Sequence, residues 1–189
     1  MHIINYIIKT APTVEPVSLA EAQAHCRSID DTAENATLTA LIIAAREYCE
    51  QYTRRALAPQ TIELYLDYFS TDIYLPLPPV TAVTSIIYTD YLGVATTVSA
   101  SDYIVDLINN RIIPAYDKTW PAFTPYATNP IKITYVAGYT AATVPKAVKQ
   151  AILLLVGHWY INREATGTAD KPIEFSVKNL LTLHKSGWF

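Results

Sequence analysis

Residues 144–164, VPKAVKQAILLLVGHWYINRE, hold a nearly unbroken apolar middle between two lysines and an Arg163-Glu164 end. Val144, Ala147, Val148, Ala151, Ile152, Leu155 and Trp159 recur at helical spacing, and Leu154 and Ile161 widen the stripe beyond one face. A helix apolar on more than one side needs neighbours on several sides. The segment therefore predicts a central hub helix, with Val148, Ile152, Leu155 and Trp159 turned into the core. Pro145 belongs in its first turn, where a missing N–H is harmless. His158 is expected as a satisfied core or interface histidine, and Arg163 with Glu164 as capping and salt-bridging residues. The longest fully apolar run, AILLLVG, is far shorter than the roughly 20 residues of a bilayer span. The N-terminal MHIINYIIKTAP is also too short and lacks a basic start and a cleavage site, so it reads as an edge strand or docking arm of a soluble protein.

Partners for that helix lie upstream. In PVSLAEAQAHCRS, Ser18 and Glu21 have the spacing of a capping box, and Asp31 and Glu34 repeat it before a second helix. Asp30-Asp31 thus read as a helix start. Leu38, Leu41, Ile42, Ala45, Cys49 and Tyr52 form one stripe of that second helix, with Arg46, Glu47, Glu50 and Arg54 mostly off it. Glu47 and Glu50 share a face and are expected to be a solvated stripe, not an acid–base pair. Pro59 is expected to end the helix.

From residue 60 the period shortens to two. Ile62, Leu64 and Leu66 alternate with Thr61, Glu63, Tyr65 and Asp67, as in a half-buried strand. DIYLPLPPVTAVTSIIYTDYLG holds a strand, a proline-rich link and a second strand closing on a turn at Asp90 to Gly93. SDYIVDLINNRIIPA predicts a hairpin turning at Asn109-Asn110, since asparagine tolerates left-handed backbone. NPIKITYVAGY adds a strand with Ile131, Ile133 and Tyr135 on one face.

These readings give an α+β fold, mainly α: a helical bundle of one long central helix and N-terminal helices, with an antiparallel β-rich insertion and a C-terminal docking tail. Residues 1–164 form the expected single domain, with helices at about 17–58 and 144–164 and the insertion at about 60–138. Residues 165–189 form the tail. In it Val177, Leu180, Leu181 and His184 fall at helical spacing, and Trp188-Phe189 close the chain.

No chemistry-bearing motif emerges. The five glycines are dispersed, so neither a phosphate loop nor a dinucleotide fingerprint is present. Neither G-x-S-x-G nor H-E-x-x-H occurs. His25 and Cys26 are adjacent, and helical neighbours point about 100° apart instead of facing each other. Cys26 and Cys49 form no ligand pattern and are expected to be buried thiols of a reducing cytosol. No cofactor, metal or catalytic residue is expected. A net charge of −3 gives no footprint for tight nucleic-acid binding. Fourteen tyrosines and three tryptophans among only 16% charged residues suit protein–protein interfaces. A small hydrolase with an unrecognised site and a generic protein-binding module are the competing classes.

The strand ending in Ala-Gly-Tyr, the Val-Pro opening of a long helix, then His-Trp-Tyr and Asn-Arg-Glu resemble the tailed-phage head–tail connector family, the adaptor or head-completion group. PVSLAEAQAHCRSID, IYLPLPPVTAVTSIIYTDYLG, DYIVD with RIIPA, and TWP at 119–121 extend the resemblance over nearly the whole chain. The tail departs from the family by continuing through TLHKSGWF. The resemblance implies a non-catalytic ring, twelvefold, in the virion neck beneath the portal protein, made in a host bacterial cytoplasm. Such a ring extends the DNA channel, contacts copies of itself and offers a platform to a neck, stopper or tail completion protein. DNA would pass without sequence-specific binding, and a mildly acidic protomer repeated around a ring repels phosphate. By the same resemblance Val177, Leu180, Leu181, Trp188 and Phe189 would dock the tail on the portal.

Overall fold

The computed structural model describes residues 5–28, 32–162 and 174–187, with the side chains of 174 and 175 excepted. The chain divides into two compact units, one from residues 1–12 with 59–138 and the other from residues 13–58 with 139–189.

The second unit is helical. Helix α1 (Leu19–Cys26) opens on the capping box its sequence announces: the Glu21 amide donates to Ser18 Oγ at 3.2 Å, and the Ser18 amide to Glu21 Oε2 at 2.7 Å. The Ser18 amide and the Ser18 hydroxyl, which donates to the same Oε2 at 2.9 Å, hold the Glu21 carboxyl below its usual range. Helix α2 (Asn35–Thr53) follows a 3-10 turn at Thr32–Glu34, and Asp31 lies outside the described residues. Helix α3 (Lys146–Ile161) has Pro145 at its N-cap, and helix α4 (Glu174–Thr182) returns to the body. Leu38, Ile42, Ala45 and Cys49 of α2 share one core with Val148, Ala151, Ile152, Leu155 and Val156 of α3. Burial of each large apolar side chain contributes roughly 1.5–3 kcal/mol.

Helix α2 stops well before Pro59. Arg54 takes a left-handed C-cap at φ 54°, and Ala56, Leu57 and Ala58 follow as a buried connection. The expected end at Pro59 is therefore corrected. A side chain ends the helix earlier: Glu50 Oε1 accepts the Leu57 amide at 2.7 Å and holds the connection against the last turn.

Among the described residues the first unit is all strand and loop. Its larger sheet has the order β1-β2-β8-β4-β5, from β1 (Asn5–Thr10), β2 (Gln60–Leu66), β8 (Ile131–Ala137), β4 (Val80–Thr89) and β5 (Ala95–Thr97), with every pairing antiparallel. A smaller sheet has the order β3-β7-β6, from β3 (Ile73–Tyr74), β7 (Arg111–Pro114) and β6 (Tyr103–Asp106). Ile62 and Leu64 pair with Tyr135 and Ile133 on the buried face, as period two requires. Tyr135 is fully buried, and its hydroxyl donates to the Pro76 carbonyl at 2.8 Å.

The expectation of a mainly helical bundle is overturned. Among the described residues helices hold 32% and strands 27%, in two antiparallel sheets. The β-rich segment is a compact unit with its own buried residues, and it draws in β1, which precedes α1 and α2 in the sequence. All of its strands but the three-residue β5 show in the sequence pattern, but the joining of β1 to their sheet across the α1–α2 segment has no local signature, so the pattern marks an insertion and not a unit equal to the helices.

Candidate interaction surfaces

On α3, Val148 and Ile152 are fully buried, Leu155 nearly so, and Trp159 packs half-buried on the same core, edge-on to Tyr48 with ring centroids 6.4 Å apart. His158 sits at the end of α3: its carbonyl accepts the Asn162 amide at 2.9 Å, and its Nδ1 lies 3.1 Å from Asn162 Nδ2. Arg163 and Glu164 lie outside the described residues. Gly157 permits a close approach that sequence reading did not anticipate, for a Cβ there would come to 3.0 Å from His25 Nε2 of α1.

The tail residues divide. Val177 and Leu181 of α4 are fully buried in the helical core, and Leu180 packs half-buried against it. Polar bonds continue the attachment past the helix. The Ser186 amide donates to the Thr53 carbonyl at 2.8 Å, and Arg55 Nε to the His184 carbonyl at 2.6 Å. Lys185 Nζ lies over the Tyr52 ring, 5.6 Å from its centroid. Trp188 and Phe189 lie outside the described residues.

The expected solvated stripe on α2 is corrected in part. Glu47 is exposed, whereas Arg46 and Glu50 are buried. Arg46 Nη1 donates to Glu50 Oε2 at 2.6 Å and Arg46 Nε to Glu15 Oε2 at 2.8 Å. Burial pushes the Glu50 carboxyl up, opposed by the Leu57 amide and Arg46. The pair's further partners, Glu15 and the Leu57 amide, lie outside the helix, where helical periodicity cannot see them. Burial also raises both thiols, Cys49 to about 12. Among the described residues no cluster of three or more His, Cys, Asp or Glu is placed to hold a metal ion, and no helix is long and apolar enough to cross a membrane.

The β unit exposes apolar residues in groups. The β4–β5 turn shows Tyr91, Leu92 and Val94, and the β6–β7 turn shows Leu107 and Ile108, the latter 91% exposed. Both turns are braced by an aspartate acceptor. Gly93 takes φ 82° while Asp90 Oδ1 accepts the Leu92 and Val94 amides, each at 2.9 Å. Asn110 takes φ 52°, and Asp106 accepts the Asn109 amide at 3.0 Å, Asn109 Nδ2 at 2.8 Å and Arg111 Nε at 3.1 Å. The Asn109 bonds, with Arg111, lower the Asp106 carboxyl to about 2. Phe69 stacks on Trp120 at 4.8 Å, and Trp120 Nε1 donates to the Ser70 carbonyl at 2.8 Å, giving the TWP motif a structural role. Strand β1 is exposed along its whole length, with Tyr6, Ile7 and Ile8 among its residues. Braced turns and uncovered apolar groups are features of surfaces that bind macromolecules.

Comparison with known proteins agrees with that character. A family model described as head completion protein matches residues 19–170. The chain is similar to a chain in the neck of an empty gene transfer agent particle computed with C6 symmetry, at TM-score 0.79 and 26% identity, over 98% of this chain and 97% of that one. It is similar to a chain in the virion of the native particle, at TM-score 0.78 and 26% identity over 97% and 96%. A chain in the native neck computed with C12 symmetry matches at TM-score 0.74 and 25% identity over 100% and 97%. No curated protein matches.

Proposed function

The chain belongs to the head completion protein family, and from that premise we propose how this structural head–tail connector of the virion neck works. Copies of it form a ring of twelve beneath a portal protein. The ring prolongs the DNA channel and presents the platform on which a stopper or tail completion protein docks. It acts by shape and contact, without catalysis or cofactor. The observation that carries this reading is the end-to-end likeness to neck chains. The exposed turns at Tyr91-Leu92 and Leu107-Ile108 supply contact area, and the net charge of −3 per copy keeps DNA from adhering to the lumen.

Residues 165–189 are the portal-facing tail in this proposal. Val177 and Leu181 are committed to the chain's own core, so the anchoring falls to Trp188 and Phe189, with Leu180 at the margin. The test is binding of purified chain to its portal. Replacement of Trp188 and Phe189 by alanine should weaken binding at least tenfold with the melting temperature unchanged. Unaltered affinity would remove the tail from the proposal.

A further inference from the structure

The larger sheet ends in two open edges that have opposite places but the same direction. All its pairings are antiparallel and it has five strands, so β1 and β5 run the same way. We propose that β1 of one copy pairs in parallel with β5 of the next, so that the sheet runs continuously from protomer to protomer. This rests on the ring reading above and deepens it by naming the lateral interface.

Four observations point to a second copy as the occupant of the β1 edge. First, β1 is exposed throughout, and Tyr6, Ile7 and Ile8, 41, 52 and 48% exposed, put apolar groups on both faces of an edge strand. Such an edge invites pairing unless it is blunted. Second, the blunting is confined to one end. The ladder with β2 is irregular between Ile8 and Thr10, and Lys9 is drawn onto Glu63 at 2.8 Å. The regular stretch Asn5–Ile8 thus matches a short partner such as the three-residue β5. Third, β5 is exposed at all three positions, and Tyr91, Leu92 and Val94 beside it provide apolar area. Fourth, the geometry closes. A ring needs a heterologous contact, in which different patches of one molecule meet. A rotation about an axis along the strands preserves strand direction, so β1 meets β5 in parallel. A twofold dimer would instead pair β1 with β1 in antiparallel fashion.

The register places Ile7 and Thr97 on one face: Ile7 lies opposite Glu63, Glu63 opposite Thr134, and Thr97 opposite Ile87, which lies opposite Lys132. Within one chain the two edges are four strand spacings apart, roughly 19 Å. A bis-maleimide reaching about 8 Å, the diagonal spacing across paired strands, therefore cannot join them within one molecule. The test uses full-length chain carrying Cys26→Ser, Ile7→Cys and Thr97→Cys, alone and after mixing with its portal. Cross-linking should give a denaturing-gel ladder that climbs past the dimer, and Ile7→Cys or Thr97→Cys singly should give none. In parallel, Ile7→Asp should abolish ring assembly without lowering the melting temperature. A ring seen by native mass whose double variant stays uncross-linked, or a dimer from Ile7→Cys alone, would overturn the β1–β5 contact and leave the ring reading intact. Absence of any ring, with or without portal, would sink both.

Discussion

Glu50 accepts from Arg46 and from the Leu57 amide inside the helical unit, so its carboxylate does two jobs, neutralising a buried guanidinium and ending α2. Glu50→Ala leaves Arg46 with Glu15 and strands the Leu57 amide. Removing one partner of a buried pair costs about 3 kcal/mol or more, and urea unfolding should show that loss. A change under about 0.5 kcal/mol would mean that the pair is solvated. Sequence spacing puts 46 and 50 on one face but off the apolar stripe, and nothing in the period reveals that other parts of the chain cover them. Asp106 supports an opposite kind of prediction. Its carboxyl is depressed to about 2 by Asn109 and Arg111, so the support it lends the β6–β7 turn is complete above its ordinary range and is lost as pH falls through about 2. The Asn109 amide resonance should move with that midpoint. A midpoint near 4 would show that the turn bonds do not form in solution.

The apolar stripes of α2 and α3, the Ser18 capping box and the turns at Asp90–Gly93 and Asn109-Asn110 are legible in the sequence, because each depends on neighbours within a few residues. The end of α2 and the three-residue β5 are not, since a side chain seven positions back fixes one and pairing with β4 defines the other. Helix α4 stands between. Its spacing shows an amphipathic segment, but only the packed core shows that Val177 and Leu181 face inward. Leu181→Asp places a charge at a fully buried position and should lower stability by about 3 kcal/mol or more. A melting temperature equal to that of the unaltered chain would show that α4 is not part of the folded body.

At the scale of the whole molecule, local patterns undercounted the strands, and the class expected from them was too helical. Of the eight strands among the described residues only the three-residue β5 carries no local signal, and β1 joins the larger sheet beside β2, from which the entire α1–α2 segment separates it in sequence. Pairing over that distance has no local signature. Function was more legible than architecture, because the ordered Ala-Gly-Tyr, Val-Pro and His-Trp-Tyr pieces point to the connector family without requiring a correct strand count. The proposal on which the rest depends is that copies of this chain close into a ring in the neck. Native mass measurement of the chain, alone and with its portal, tests that claim most directly. A closed assembly of about twelve copies on the portal is expected, matching the C12 symmetry with which the native gene transfer agent neck was computed. A chain that stays monomeric and unbound in the presence of its portal would contradict it.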